Sequence, residues 1–145
     1  MSRLIAEWIW LVGGILWFVI RFPHQRRARK VKVDRSVGGT RDRILLMSSL
    51  SGLCIIPFIY FLIAMIGGHP VFADYPFRAW QGWIGLVVMI GALAMFYETH
   101  RQLGRNWSVT LETRKKHELV VAGVYAWVRH PMYTAFWLLA VAQAF

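Results

Sequence analysis

Cysteine is almost absent: Cys54 stands alone, so no disulfide can form within the chain. Placed inside an apolar run, this thiol is expected to pack as a small hydrophobe. The five histidines follow none of the compact zinc spacings and have no cysteines beside them, so no metal site is assigned, His100, His117 and His130 included. No G-x-G-x-x-G run offers a dinucleotide fingerprint. Acidic residues are scarce, 7 against 17 Lys and Arg, for a formal charge of +10. In a soluble protein that balance would suggest nucleic acid, but such binding needs the basic residues on one continuous face. Here they fall between apolar stretches, and no nucleic-acid partner is expected.

What the sequence has in excess is apolar surface. Hydrophobic residues make up 57% of the chain and aromatics 15%, with mean hydropathy +0.45, too apolar for an ordinary soluble domain. About 20 largely apolar residues cross roughly 30 Å of hydrocarbon. Leu4 to Phe22, Ile44 to Ile66 and Trp80 to Tyr97 satisfy this and read as transmembrane helices. The first is retained as a span, because Arg21 and Pro23-His24-Gln25-Arg26-Arg27 stand where a signal-peptide cleavage site would need small residues. Glu7, near its outer end, is expected to snorkel to the interface. The fold class is therefore all-α, a single polytopic transmembrane helical bundle over residues 1–145, with three full spans and the start of a fourth.

Charge orients the bundle. Nine Lys or Arg residues lie from Arg21 to Arg43 and six from Arg101 to Arg129, leaving only Arg3 and Arg78 elsewhere. Cytoplasmic loops carry such an excess. Two spans separate these loops, so both can be cytoplasmic, with the N-terminus and the Gly67 to Ala79 loop opposite. The Arg26 to Lys32 run also attracts anionic lipid headgroups, by about 1 kcal/mol per residue near the surface. Most of the tryptophans read as interfacial anchors or lipid-facing packing. Gly13-Gly14 and the Gly82, Gly85, Gly91 series offer close helix approach. His24 and His69 read as loop residues, and His100 as a cation or solvated residue near a helix end. Glu112 to Glu118 reads as a solvated loop or short surface helix.

A fourth apolar run, Pro131 to Phe145, would extend only about two thirds of the way across the hydrocarbon at 1.5 Å per residue. Its last carbonyls would then lie at membrane depth. The expectation is an N-terminal fragment or truncated product, with the reading frame beyond Phe145 encoding the rest of that helix and a returning one.

Polar chemistry gathers where this run begins. The stretches are Leu103-Gly104-Arg105-Asn106-Trp107-Ser108, His117-Glu118-Leu119-Val120-Val121-Ala122-Gly123-Val124-Tyr125 and Arg129-His130-Pro131-Met132-Tyr133. Pro131 lacks an N–H and suits the first position of a helix, which makes His130 a junction residue. The free N–H groups and positive dipole end of that helix, beside Arg129, suit a carboxylate or phosphate. Gly123 supplies a turn just before Tyr125. By physics alone, Arg129 and His130 are equally compatible with one more positive flank.

The combination of Arg-His-Pro-x-Tyr at Arg129 to Tyr133, His-x-Leu-Val at His117 to Val120 and Gly-x-Tyr at Gly123 to Tyr125 resembles the isoprenylcysteine carboxyl methyltransferase family. Related membrane methyltransferases, including phospholipid methyltransferases, carry similar segments. The resemblance covers Leu103 to Phe145. It departs from the family pattern at Val124, Met132 and Ala135, where many relatives have proline, a small residue and glycine, and the family's C-terminal helix and the acidic, Arg-containing segment after it are missing. It implies S-adenosylmethionine as cofactor, held by a cytosolic segment over 103–133, and a lipophilic or lipidated acceptor arriving from the bilayer. Carried over by motif, the cofactor-pocket positions are His117, Leu119, Val120, Gly123, Tyr125, Arg129, His130 and Tyr133, with Arg129 and His130 as the catalytic pair.

Methyl transfer from a sulfonium asks the protein mainly for alignment and electrostatics. A carboxylate acceptor needs no base, whereas an amine acceptor would require one, with His130 or His117 as candidates. Two other classes compete: an NADPH-dependent membrane reductase of the sterol reductase type, and a non-catalytic truncated membrane module.

Overall fold

The computed structural model describes residues 1–28, 33–36, 39–66, 76–104, 112–114 and 120–145. Three helices among them are long and apolar enough to cross a membrane. The first, α1, spans Arg3–Ala28. The second is one continuous rod built from α2 (Thr40–Leu50), a π-helical turn at Ser51–Ile55 and α3 (Ile56–Met65). The third, α4, spans Ala79–Leu103. A single-turn helix, α5 (Val124–Trp127), leads into α6, Pro131–Gln143. The architecture is thus an all-helical bundle of three full spans with a shorter fourth helix.

The helices outrun the apolar stretches that signal them. Pro23 lies inside α1 rather than ending it, although proline removes the N–H that would meet the Val19 carbonyl. Membrane helices tolerate such a break where neighbours or side chains satisfy the backbone. Close by, His24 Nδ1–H donates to Ile20 O at 2.9 Å, and the Arg26 guanidinium sits 4.3 Å from the Phe22 ring centroid. His24 is therefore a helix residue, not a loop residue. At the other end of α1, Glu7 reaches back one turn, its carboxylate 3.5 Å from Arg3 Nε.

The second span shows how a missing donor is replaced. Pro57 has no N–H for the Leu53 carbonyl, and the π turn ends two residues before it, at Ile55. Gln143 Nε2, from α6, donates to Leu53 O at 2.8 Å. A side chain from the last helix thus satisfies a carbonyl that the proline leaves without its helical partner.

The core lies between α4, α6 and α1. Ala92 and Phe96 from α4, Ala135 and Leu139 from α6, and Trp17 from α1 are all buried. Without a hydrophobic difference between lipid and protein interior, close packing of small residues drives helix association. Gly85 shows the need for it: a Cβ there would stand 3.1 Å from Ala142 O and 3.3 Å from Phe145 Cβ. Gly82 and Gly13 are likewise closely approached, by Met1 and Met89 side chains, whereas Gly14 and Gly91 face open space. Trp17 is a core residue rather than an anchor, stacked on Phe96 with ring centroids 5.4 Å apart.

The two basic loops meet at one end of the bundle. Strand β1 (Val33–Ser36) pairs antiparallel with β2 (Glu112–Arg114), with an irregularity between Val33 and Arg35. The start of the Glu112 to Glu118 run is therefore a strand rather than a loop or surface helix, because the other basic loop offers it a backbone ladder. Residues 115–118 lie outside the described residues.

Candidate functional site

The polar end of α6 is built as its sequence suggests. Pro131 is the first helical residue and is buried. His130 occupies the cap position at φ −130°, ψ 62°, without a side-chain cap. Its carbonyl accepts from both the N–H and the hydroxyl of Thr134, at 3.1 and 3.2 Å. The N–H groups of the first turn, at Met132 and Tyr133, precede the first in-helix donor and point out of the helix end.

Arg129 and His130 are exposed beside that end. The His130 and Tyr133 rings pack with centroids 5.9 Å apart, and Tyr133 is 66% exposed. Three of the expected site residues therefore gather at the start of α6. Arg129 precedes the helix, so Tyr133 has His130 as its ring neighbour.

The approach to this junction is a turn and a short helix. Gly123 adopts φ +63°, a region that favours glycine. Tyr125 N–H and Ala126 N–H donate to Ala122 O and Gly123 O at 3.3 and 3.1 Å, closing the turn into α5. Tyr125 is half-buried, and desolvation pushes its phenol above the ordinary value. The phenol thus stays protonated at neutral pH and able to donate. Val120 is half-buried at the start of this segment. His117 and Leu119 lie outside the described residues.

Beneath the junction, the end of α4 carries a polar cluster that the hydropathy pattern hides. The helix continues past Tyr97 to Leu103 and stops at Gly104, φ +47°. Thr99 and His100 are completely buried. Thr99 Oγ1 donates to Met95 O at 2.7 Å, and His100 Nδ1–H to Phe96 O at 2.9 Å. His24 of α1 packs edge-on against His100 with centroids 5.3 Å apart, and Arg21 lies 5.1 Å from the Trp17 ring centroid. His100 is therefore an interior residue rather than a solvated one, because α1 also outruns its apolar stretch and covers it.

Gln102, absent from the motif-based set, reaches from α4 to the Gly123 turn, where its Oε1 accepts from Val124 N–H at 3.0 Å. The signal that could have found these residues is Gly104, a natural helix stop that extends α4 to Leu103. Among the described residues, no three His, Cys, Asp or Glu side chains cluster in a way that could hold a metal ion.

Along the hydrocarbon-spanning part, an apolar cleft of about 370 Å³ lies between α1 and the π turn, with Gly14, Trp17, Leu53, Phe58 and Leu139 among its walls. Its volume is within the range of small-molecule pockets, roughly 300–1,000 Å³.

These features define a polytopic helical membrane protein with a group of polar side chains where the end of α4 meets the start of α6. Residues 83–145 match the family model of the isoprenylcysteine carboxyl methyltransferase (ICMT) family. The matched stretch begins in α4 and contains α5, α6 and every expected site residue, so the family resemblance holds over this part of the chain. Together with the three spans, the match supports a membrane methyltransferase. No curated protein matches the chain.

Proposed function

We propose that the protein is a membrane-embedded S-adenosylmethionine-dependent methyltransferase acting on a lipophilic acceptor, isoprenylcysteine carboxylate-like or phospholipid-like. The observation that carries this reading is the match over residues 83–145, because the exposed Arg129 and His130 at the capless start of α6 fall inside it. The donor set suits the cofactor. A guanidinium and two first-turn N–H groups complement an amino-acid carboxylate, while the Tyr125 and Tyr133 hydroxyls and the His130 ring offer partners for ribose and base.

When bound, S-adenosylmethionine supplies an electrophilic methyl group with its leaving group already activated. In this reading Arg129 neutralises and orients an anionic group of cofactor or acceptor. His117, Leu119, Val120, Gly123, Tyr125, His130 and Tyr133 line the pocket. For a carboxylate acceptor no residue need move a proton; for an amine, the His130 or His117 ring would take it. The acceptor's chain lies in the apolar cleft beside Gly14 and Leu53, and its reactive head rises past Trp17 toward the polar end. The segment over 103–133 acts as the cofactor-binding part of the domain. Both basic loops face the cytoplasm, where their charge meets anionic lipid, and the N-terminus lies on the opposite side.

Calorimetry on the full-length protein in nanodiscs tests the reading. S-adenosylmethionine should bind and NADPH should not, and Arg129→Ala and His130→Ala should each weaken binding by about tenfold or more, the scale of a lost charged hydrogen bond of roughly 1.5–3 kcal/mol. Unchanged affinity in both variants defeats the site assignment, and preferential NADPH binding defeats the reaction class.

A further inference from the structure

The short helix α5 has no side-chain cap of its own. Its first N–H, that of Val124, is instead met by Gln102 Oε1, 22 residues earlier in the chain and on the last turn of α4, at 3.0 Å. The same amide lies flat on Gly123: a Cβ at that position would stand 2.6 Å from Gln102 Cδ and 2.7 Å from Oε1. The positive φ favours glycine at 123, and a larger residue there would also have to displace the Gln102 amide from the turn. On its other edge, Gln102 Nε2 approaches Glu98 Oε2 at 3.4 Å, and that oxygen is held by Arg101 Nε and Nη2, each at 3.0 Å.

We propose that Gln102 is a positioning residue for the cofactor pocket: from α4 it caps α5 and sets where the Gly123–Tyr125 wall stands relative to α6, which packs along the same α4. The inference rests on the methyltransferase reading for its consequence but on local geometry for its contact. A residue that merely filled space would tolerate an isostere without an acceptor. Gln102 requires the acceptor oxygen, because α5 is too short to hold its first turn without a cap.

Two measurements on the full-length protein separate the contact from the chemistry. In hydrogen exchange without cofactor, Gln102→Met should speed exchange of the Val124 amide about fivefold or more. The pair Glu98→Gln/Gln102→Glu, which restores an acceptor without opposing carboxylates, should return it to within about twofold of Glu98→Gln alone, on the scale of one net hydrogen bond. In kinetics, Gln102→Met should raise KM for S-adenosylmethionine about five- to tenfold while KM for the acceptor stays within twofold, and the paired variant should recover it. Equal exchange in wild type and Gln102→Met, or equal impairment of the methionine and restored-acceptor variants, overturns the proposal. A parallel rise in acceptor KM overturns it as well, since general loosening would produce that. If the wild type fails to bind S-adenosylmethionine, the reaction class fails, while hydrogen exchange still decides whether Gln102 holds the turn.

Discussion

The α4–α6 contact and the contact made by the second span are built on opposite principles. Between α4 and α6, backbones approach closely because Gly85, Ala92, Ala135 and Ala142 leave no side chain in the way. The second span is held through particular side chains: Gln143 to the Leu53 carbonyl, Arg3 Nη2 to Tyr60 Oη at 2.5 Å, and Trp8 edge-on to Phe61 with centroids 5.5 Å apart. The first arrangement makes a close-packed pair and the second leaves room, and the apolar cleft lies along the second. In the proposed function, the close-packed pair would carry the cofactor site and the more open second contact would admit a long apolar acceptor from lipid.

The sharpest way to break this comparison is to overpack the first contact and to remove the hydrogen bond from the second. Ala135→Leu, at a fully buried position against α4, should cost about 1–3 kcal/mol by overpacking, read as a lowered unfolding midpoint in detergent. Gln143→Leu should cost less, about 1 kcal/mol, since membrane side-chain hydrogen bonds average roughly 0.6 and reach about 1.7 kcal/mol. A Gln143→Leu variant as damaging as Ala135→Leu would mean the second span depends on that one bond.

Gly14→Leu should not lower the unfolding midpoint, because a Cβ there meets nothing within 4 Å and glycine is a poor helix former. It should instead raise KM for a long-chain acceptor severalfold without affecting S-adenosylmethionine affinity. An unaffected acceptor KM would remove the cleft from the acceptor's path.

The smallest effect concerns Tyr125. Its phenol has a folded-state pKa raised by burial above the ordinary value of about 10. The stabilisation from keeping it protonated is therefore complete below pH ~10 and is lost as pH rises through the folded value. Wild type should lose stability relative to Tyr125→Phe only above pH ~10, measured by chemical unfolding across that range. A difference that changes between pH 6 and 8 would contradict this environment.

Elements whose cause is local were legible in the sequence. Pro131 had to open a helix because it lacks an N–H, His130 followed as the junction, and Gly123 supplied the turn before Tyr125. The three spans announced themselves by length and hydropathy. What escaped depends on partners far away in the chain. The apolar span read from the sequence ends at Phe22, yet α1 continues through Pro23 to Ala28. His100 reads as solvated until α1 is seen to cover it with His24. The π turn before Pro57 and its answering Gln143 pair residues 90 apart, and the Gln102 contact pairs residues 22 apart. No helical or strand period records such pairs.

Direct ultraviolet crosslinking of radiolabelled S-adenosylmethionine to the full-length protein in nanodiscs, followed by peptide mapping, tests the central claim most directly. The account predicts label on the segment between residues 117 and 133, lost when unlabelled S-adenosylmethionine competes and sharply reduced in Arg129→Ala. Label confined to other parts of the chain, or incorporation that competitor does not displace, would contradict it.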